Sequence, residues 1–240
     1  MFNIIPAIDL INGRVVRLRQ GNYNDVTQYT LSPTDYAKHF QDAGAKRIHI
    51  VDLDGAKSGS TENKSTIQAI RKAVDIEIEV GGGIRSLETA QNYFNSGINY
   101  IILGSMLINN FELAASIIHN FPNQVIAGID TMNNQAATVG WTHQSGIDIA
   151  DIINQINPLP IESIIHTDIS KDGMMAGPNI NSLKHILNLT HHHIIVSGGV
   201  RNESDIQDIR QFSKSGCSGC IIGKAVLSET LCLKTIFKGG

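Results

Sequence analysis

Eight short apolar runs rich in Ile and Val recur along the chain, most of them separated by stretches long enough for a helix. They are NIIPAID (3–9), RIHIVD (47–52), IEIEV (76–80), YIILG (100–104), QVIAGID (124–130), SIIHTD (163–168), HIIVSG (193–198) and GCIIG (219–223). Such near-continuous hydrophobicity is the pattern of strands buried on both faces, and hence of a parallel sheet. Between them lie segments such as SPTDYAKHFQDAGA (32–45) and SLETAQNYFNSGI (86–98). Each opens on a Ser suited to cap a helix, carries apolar residues three and four apart, and closes at Gly. Eight strand–helix units in 240 residues predict an α/β fold, the (β/α)8 TIM barrel. A doubly wound open sheet is the competing architecture.

The two halves of the chain echo each other. IPAIDL matches IAGIDT, with Asp9 121 positions before Asp130, and IVDLDGAKSG echoes HTDISKDGMMAG, with Asp52 116 before Asp168. VGGGIRSLETA echoes VSGGVRNESDI, with Gly82 116 before Gly198, and ILGSML echoes IIGKAVL, with Gly104 119 before Gly223. Four features repeating in order near half the chain length point to an internal duplication. The expectation is one barrel domain over residues 1–240, built from similar half-barrels of about 1–120 and 121–240. Two matched four-unit halves favour the closed barrel over the open sheet.

Composition narrows the classes further. With 42% hydrophobic and 17% charged residues the chain is too apolar for disorder, and a net charge of −3 argues against a nucleic-acid surface. Cys217 and Cys220 form a lone C-x-x-C leading into an apolar run, so they read as structural or incidental thiols, with Cys232 beyond them. No apolar run reaches membrane-spanning length, and MFNIIPAIDLI lacks the basic start of a signal segment. A soluble, cytoplasmic protein without membrane or nucleic-acid partners is expected. The HHH run at 191–193 reads as a loop, not a metal site.

Candidate chemistry collects at the carboxyl ends of the expected strands, where barrels of this type bind ligands. GGG follows the third strand and GS the fourth; SGG follows the seventh and GK the eighth. Glycine-rich turns entering helices expose backbone N–H groups and suit anions. Gly82, Gly83, Arg85, Gly104 and Ser105 would form one phosphate site, and Ser197, Gly198, Gly199, Gly223 and Lys224 another. The alternative for Arg85 is a pair with a helix acid. Two such sites imply an elongated substrate with a phosphate at each end. Asp9 and Asp130, at the ends of strands one and five, are candidate catalytic carboxylates, one acting as acid and one as base. No metal-ligand cluster or nucleotide fingerprint competes, so no cofactor is expected.

These motifs closely resemble a family, the histidine-biosynthesis isomerases that act on phosphoribosylformimino-aminoimidazole carboxamide ribotide. The resemblance runs from IPAIDLINGRVVRLRQGNY through VDLDGAKSG, VGGGIRS, GW, TDISKDGMMAGPN and SGGVRNESDI to IIGKAVL, essentially the full chain. It implies an Amadori rearrangement of one bisphosphorylated substrate, with Asp9 similar to the general base and Asp130 to the general acid. It further implies that Thr167 and Asp172 support the acid and hold the substrate. Arg19 resembles a substrate-binding arginine, and Trp141 an aromatic that covers the substrate's imidazole. His49 reads equally as a barrel-facing residue or a ligand contact, and Asp168 as a structural strand-end acid or a participant. Where the family commonly has a hydroxyl residue after DG, this chain has Met174 and Met175, which removes a hydrogen bond near the second phosphate. No metal is implied, and a monomer is expected.

Three rivals remain on the sequence. The sister cyclase shares the half-barrel repeat, but its first strand reads closer to IPCLDV and a lysine follows in the next loop. A dual-substrate isomerase acting also on phosphoribosylanthranilate would need only a different pocket. A non-catalytic sugar-phosphate-binding barrel would not need both aspartates.

Overall fold

The computed structural model describes residues 2–19, 21–132, 135–138, 143–228 and 230–237. Its strands are β1 (Asn3–Ile11), β2 (Arg14–Arg19), β3 (Asn22–Gln28), β4 (Arg47–Asp52), β5 (Glu77–Gly81) and β6 (Tyr100–Leu103). They continue as β7 (Val125–Met132), β8 (Gln135–Thr138), β9 (His143–Asp148), β10 (Ser163–Asp168), β11 (Ile194–Ser197) and β12 (Cys217–Ile222). Eight of these pair in parallel in the order β1-β4-β5-β6-β7-β10-β11-β12, and β12 returns to β1, with Asn3 opposite Gly219 and Pro6 opposite Ile222. The sheet is therefore a closed (β/α)8 barrel, and its strands are the eight apolar runs to within a few residues at each end.

Local signals place the helices. Ser32 accepts from the N–H of Asp35 ahead of Pro33, and the helix Pro33–Ala43 ends at Gly44, which is left-handed. Ser86 caps the helix Leu87–Asn95 in the same way. Tyr36, Ala37 and Phe40 on the first, and Ala90 and Tyr93 on the second, are buried against the outer face of the barrel. A smaller inner core of Ile5, Ala7, Ile126, Ile165, Ile195 and Ile221, flanked by Tyr100 and Ile102, fills the barrel itself.

Two antiparallel excursions interrupt the barrel, each at the carboxyl end of a strand carrying a candidate aspartate. β2 folds back on β1 and pairs with β3, while β8 folds back on β7 and pairs with β9. The loop after strand one is therefore a β-sheet extension standing over the barrel mouth. Among the described residues no helix is long and apolar enough to cross a membrane.

Candidate active site

A cavity of about 650 Å³ opens at the carboxyl ends of the barrel strands, large enough for a sugar-phosphate-sized ligand. Strand alternation decides what lines it. On β1 the inward residues are Ile5, Ala7 and then Asp9; on β10 they are Ile165 and then Thr167. On these two strands an apolar inward residue is thus followed by a polar one at the rim. Asp9, His49, Asp130, Thr167, Asp172 and Ser197 all reach the same cavity, and Thr167 lies opposite Asp130 in the β7–β10 register.

The arginine bonded to Asp9 is Arg17, not Arg19. Asn12 and Gly13 both take left-handed backbone, forming the tight turn that joins β1 to β2. The resulting register sets Asp9 opposite Val16. Arg17 then donates from Nη1 to Asp9 at 2.9 Å and from Nη2 to Asp172 at 2.6 Å. Arg19, at the far end of β2, is exposed and does not line the cavity. The sequence carries a signal for this: Asn-Gly between two apolar runs marks a hairpin, and its register puts Arg17 next to Val16, the partner of Asp9.

Burial raises the pKa of Asp9 above the usual carboxylate value; Arg17 opposes this, Asp172 adds to it, and His49 lies near enough to favour ionisation. Burial also disfavours the charge on Arg17, but Asp172 and Asp9 outweigh it and hold the guanidinium firmly protonated. Arg17 is therefore a fixed cation between two carboxylates.

Asp168 is occupied elsewhere. It accepts from the N–H and hydroxyl of Ser170 and from the amide of Asn179 at 2.6 Å, and it is absent from the cavity wall. Asp52, 116 positions earlier, binds Gly55 N–H at 2.8 Å and Asn63, which like Asn179 lies eleven residues on. Both acids tie the loop after their own strand to the strand end.

The glycine pairs follow from backbone geometry. Gly82 and Gly199 have φ of +97° and +86°, and a Cβ on them would overlap the carbonyl oxygens of Asp52 and Gly177 respectively. The loops after β5 and β11 thus press against the loops after β4 and β10, and only glycine permits that approach. Gly83 and Gly198 also have left-handed backbone.

Around these loops the two anion candidates differ. Gly82, Gly83, Arg85, Gly104 and Ser105 line the main cavity together with Lys57, which was not anticipated and stands 5.6 Å over the Tyr23 ring. Arg85 donates to the Ala56 carbonyl and has no ion-pair partner among the described residues. Arg201, its counterpart 116 positions on, is instead clamped by Asp205 at 2.7 and 2.9 Å. Ser197, Gly198, Gly199, Gly223 and Lys224 line a cleft of only about 20 Å³ beside Arg17 and Asp172. There Lys224 donates to the Gly173 carbonyl at 2.9 Å, and Met175, left-handed at φ 52°, forms part of the wall. Trp141 lies outside the described residues. His166 points outward, bonded to Thr131 at 3.0 Å, and Cys217 and Cys220 are buried in β12.

A closed parallel barrel that gathers Asp9, Asp130 and glycine-lined loops around one mouth defines a member of the (β/α)8 class. The comparisons agree: the chain belongs to the histidine biosynthesis protein family, which matches residues 3–231. A protein of Prochlorococcus marinus (strain NATL1A) is 43% identical over 96% of this chain and 90% of its own length. It bears the name 1-(5-phosphoribosyl)-5-((5-phosphoribosylamino)methylideneamino) imidazole-4-carboxamide isomerase. Proteins of the same name from Oceanobacillus iheyensis and Ruminiclostridium cellulolyticum are 42% and 40% identical over 98% and 96% of this chain, each covering 97% of the relative.

Proposed function

We propose that the protein catalyses the Amadori rearrangement of N′-(5-phosphoribosyl)formimino-5-aminoimidazole-4-carboxamide ribonucleotide, an aldose–ketose isomerisation in histidine biosynthesis. The observation that carries this reading is Asp9, buried and poised by Arg17, in the same cavity as Asp130.

The chemistry balances without an added redox partner. Asp130 as general acid protonates the ribose ring oxygen, and the C1′–O bond breaks to leave a protonated imine. Asp9 as general base removes the C2′ proton, and the C2′–H electrons form the C1′=C2′ bond of an enaminol. A proton returns to C1′ as the 2′-hydroxyl gives up its own to solvent, so the C1′=C2′ bond becomes C2′=O and the product is the aminoketose. Thr167 steadies Asp130 across the strand pair, and Asp172 and Arg17 hold the sugar over Asp9. One phosphate sits at Gly82, Gly83, Arg85, Gly104 and Ser105. The other sits at Ser197, Gly198, Gly199, Gly223 and Lys224, once Lys224 releases the Gly173 carbonyl. The two anion loops are read as the matched ends of a duplicated half-barrel within one domain. The protein works as a cytoplasmic monomer; among the described residues only Val26, Leu31 and Leu87 are large, apolar and exposed.

The test is an assay of purified protein in chelator-treated buffer, with the aminoaldose and, in parallel, phosphoribosylanthranilate. Conversion of the first alone is expected. Turnover of both would make it a dual-substrate isomerase, and turnover of neither would contradict the reading.

A further inference from the structure

Among the described residues, the middle of the barrel interior carries charged side chains on the β4–β5 side. On β4 and β5 the inward residues Arg47, His49 and Glu79 form a chain. Glu79 is fully buried; its Oε1 lies 2.8 Å from Nδ1 of His49 and its Oε2 accepts from Arg47 Nη1 at 3.3 Å. Arg47 is anchored in turn by Glu77 and Glu162 and stacks 4.1 Å over Tyr100. The residues 116 positions on, in β10 and β11, are Ser163, Ile165 and Ile195. The last two belong to the apolar inner core.

Burying a charged chain where isoleucine serves at the matching positions is costly, and apolar replacements of such chains are often neutral or stabilising. Stability alone therefore does not account for it. Its upper end does: His49 lines the cavity, stands opposite Ala7 in the β1–β4 register, one inward position below Asp9, and is near enough to Asp9 to influence its ionisation.

We propose that Glu79 is a positioning residue. Its carboxylate, which can only accept, holds the Nδ1–H of His49 and turns Nε2 toward the cavity floor beside Asp9, where it meets a hydroxyl of the reacting sugar. What Nε2 touches rests on the isomerase reading; the orientation does not. The aspartates are thereby inequivalent: Asp9 has an oriented imidazole beneath it, while Ile165 stands at the position matching His49 in the other half of the barrel. The one-sided chain decides which carboxylate faces the C2′ proton.

The test begins with the unaltered protein. A two-bond 1H–15N correlation spectrum of the histidine rings, with His49 assigned by its loss in His49→Gln, should show a proton on Nδ1. A bare Nδ1 with the proton on Nε2 would overturn the proposal whether or not the protein turns substrate over. In Glu79→Gln, whose amide can present N–H to Nδ1 instead, the His49 pattern should change and kcat should fall on the order of a hundredfold. Affinity for inorganic phosphate, bound at the rim loops, should not move. An unchanged His49 spectrum with unchanged kcat in Glu79→Gln would also overturn it, while wild-type turnover in the same assay reports separately on the isomerase reading.

Discussion

Arg17 donates to Asp9 at 2.9 Å from a strand that exists only because the chain reverses at Asn12–Gly13. Burial raises the pKa of Asp9 and Arg17 is the first influence opposing it. A general base works ionised, so activity is lost as pH falls through its pKa. Removing the cation in Arg17→Met takes away the largest influence opposing burial and raises that pKa further. The acidic limb of the kcat/KM profile should therefore move to higher pH, whereas Arg19→Met should leave it in place. A pH–rate series on both variants checks this.

His166 offers a second pH effect, on stability. Burial lowers its pKa to about 4, against the ordinary 6.5, with Asp168 opposing. A depressed histidine stabilises the fold fully above pH 6.5, and this contribution is lost as pH falls toward the folded value, because the unfolded chain takes up the proton first. The loss amounts to about 3 kcal/mol across that window. Urea unfolding at pH 7 and pH 4.5 should show it in the wild type and show it much reduced in His166→Gln.

The glycine loops separate packing from binding. Gly82→Ala places a methyl onto the Asp52 carbonyl at a left-handed position, and should cost at least about 2 kcal/mol. Gly104 is different: a Cβ there meets nothing nearer than the Gly128 carbonyl at 3.7 Å. Gly104→Ala should melt within about 0.5 kcal/mol of the wild type yet bind inorganic phosphate more weakly. Calorimetric titration beside thermal unfolding measures both.

Burial pushes the Cys217 thiol up to about 11 and that of Cys220 up as well, while Cys232 is exposed. A thiol reagent at neutral pH should therefore label one cysteine in the folded protein and all three in urea.

The barrel was legible because both faces of its strands are buried, so their apolar runs are unbroken. The β2–β3 and β8–β9 excursions were not, since NYNDVTQ is mostly exposed and carries no core-facing alternation. Arg19 rests on the resemblance, whereas the turn at Asn12–Gly13 is what folds β2 back and puts Arg17 against Asp9. Asp9 and Asp130 were legible as strand-end acids in matched motifs, but the partners of a buried carboxylate depend on register and not on spacing. Glu79 went unremarked for the same reason: IEIEV looks like an ordinary strand until β4 places His49 and Arg47 beside it. The glycines of EVGGGIRS and IVSGGVRN suit a phosphate on sequence grounds, and the structure adds a packing cause that no pattern within one loop displays.

The most direct test of the account is the kinetics of Asp9→Asn alongside its affinity for the aminoaldose. The carboxamide keeps the shape of the side chain and one acceptor for Arg17, but it cannot take the C2′ proton. Turnover should fall by about 10²- to 10⁴-fold, with substrate affinity changed by no more than about tenfold. Wild-type kcat in Asp9→Asn would contradict the assignment of Asp9 as the base.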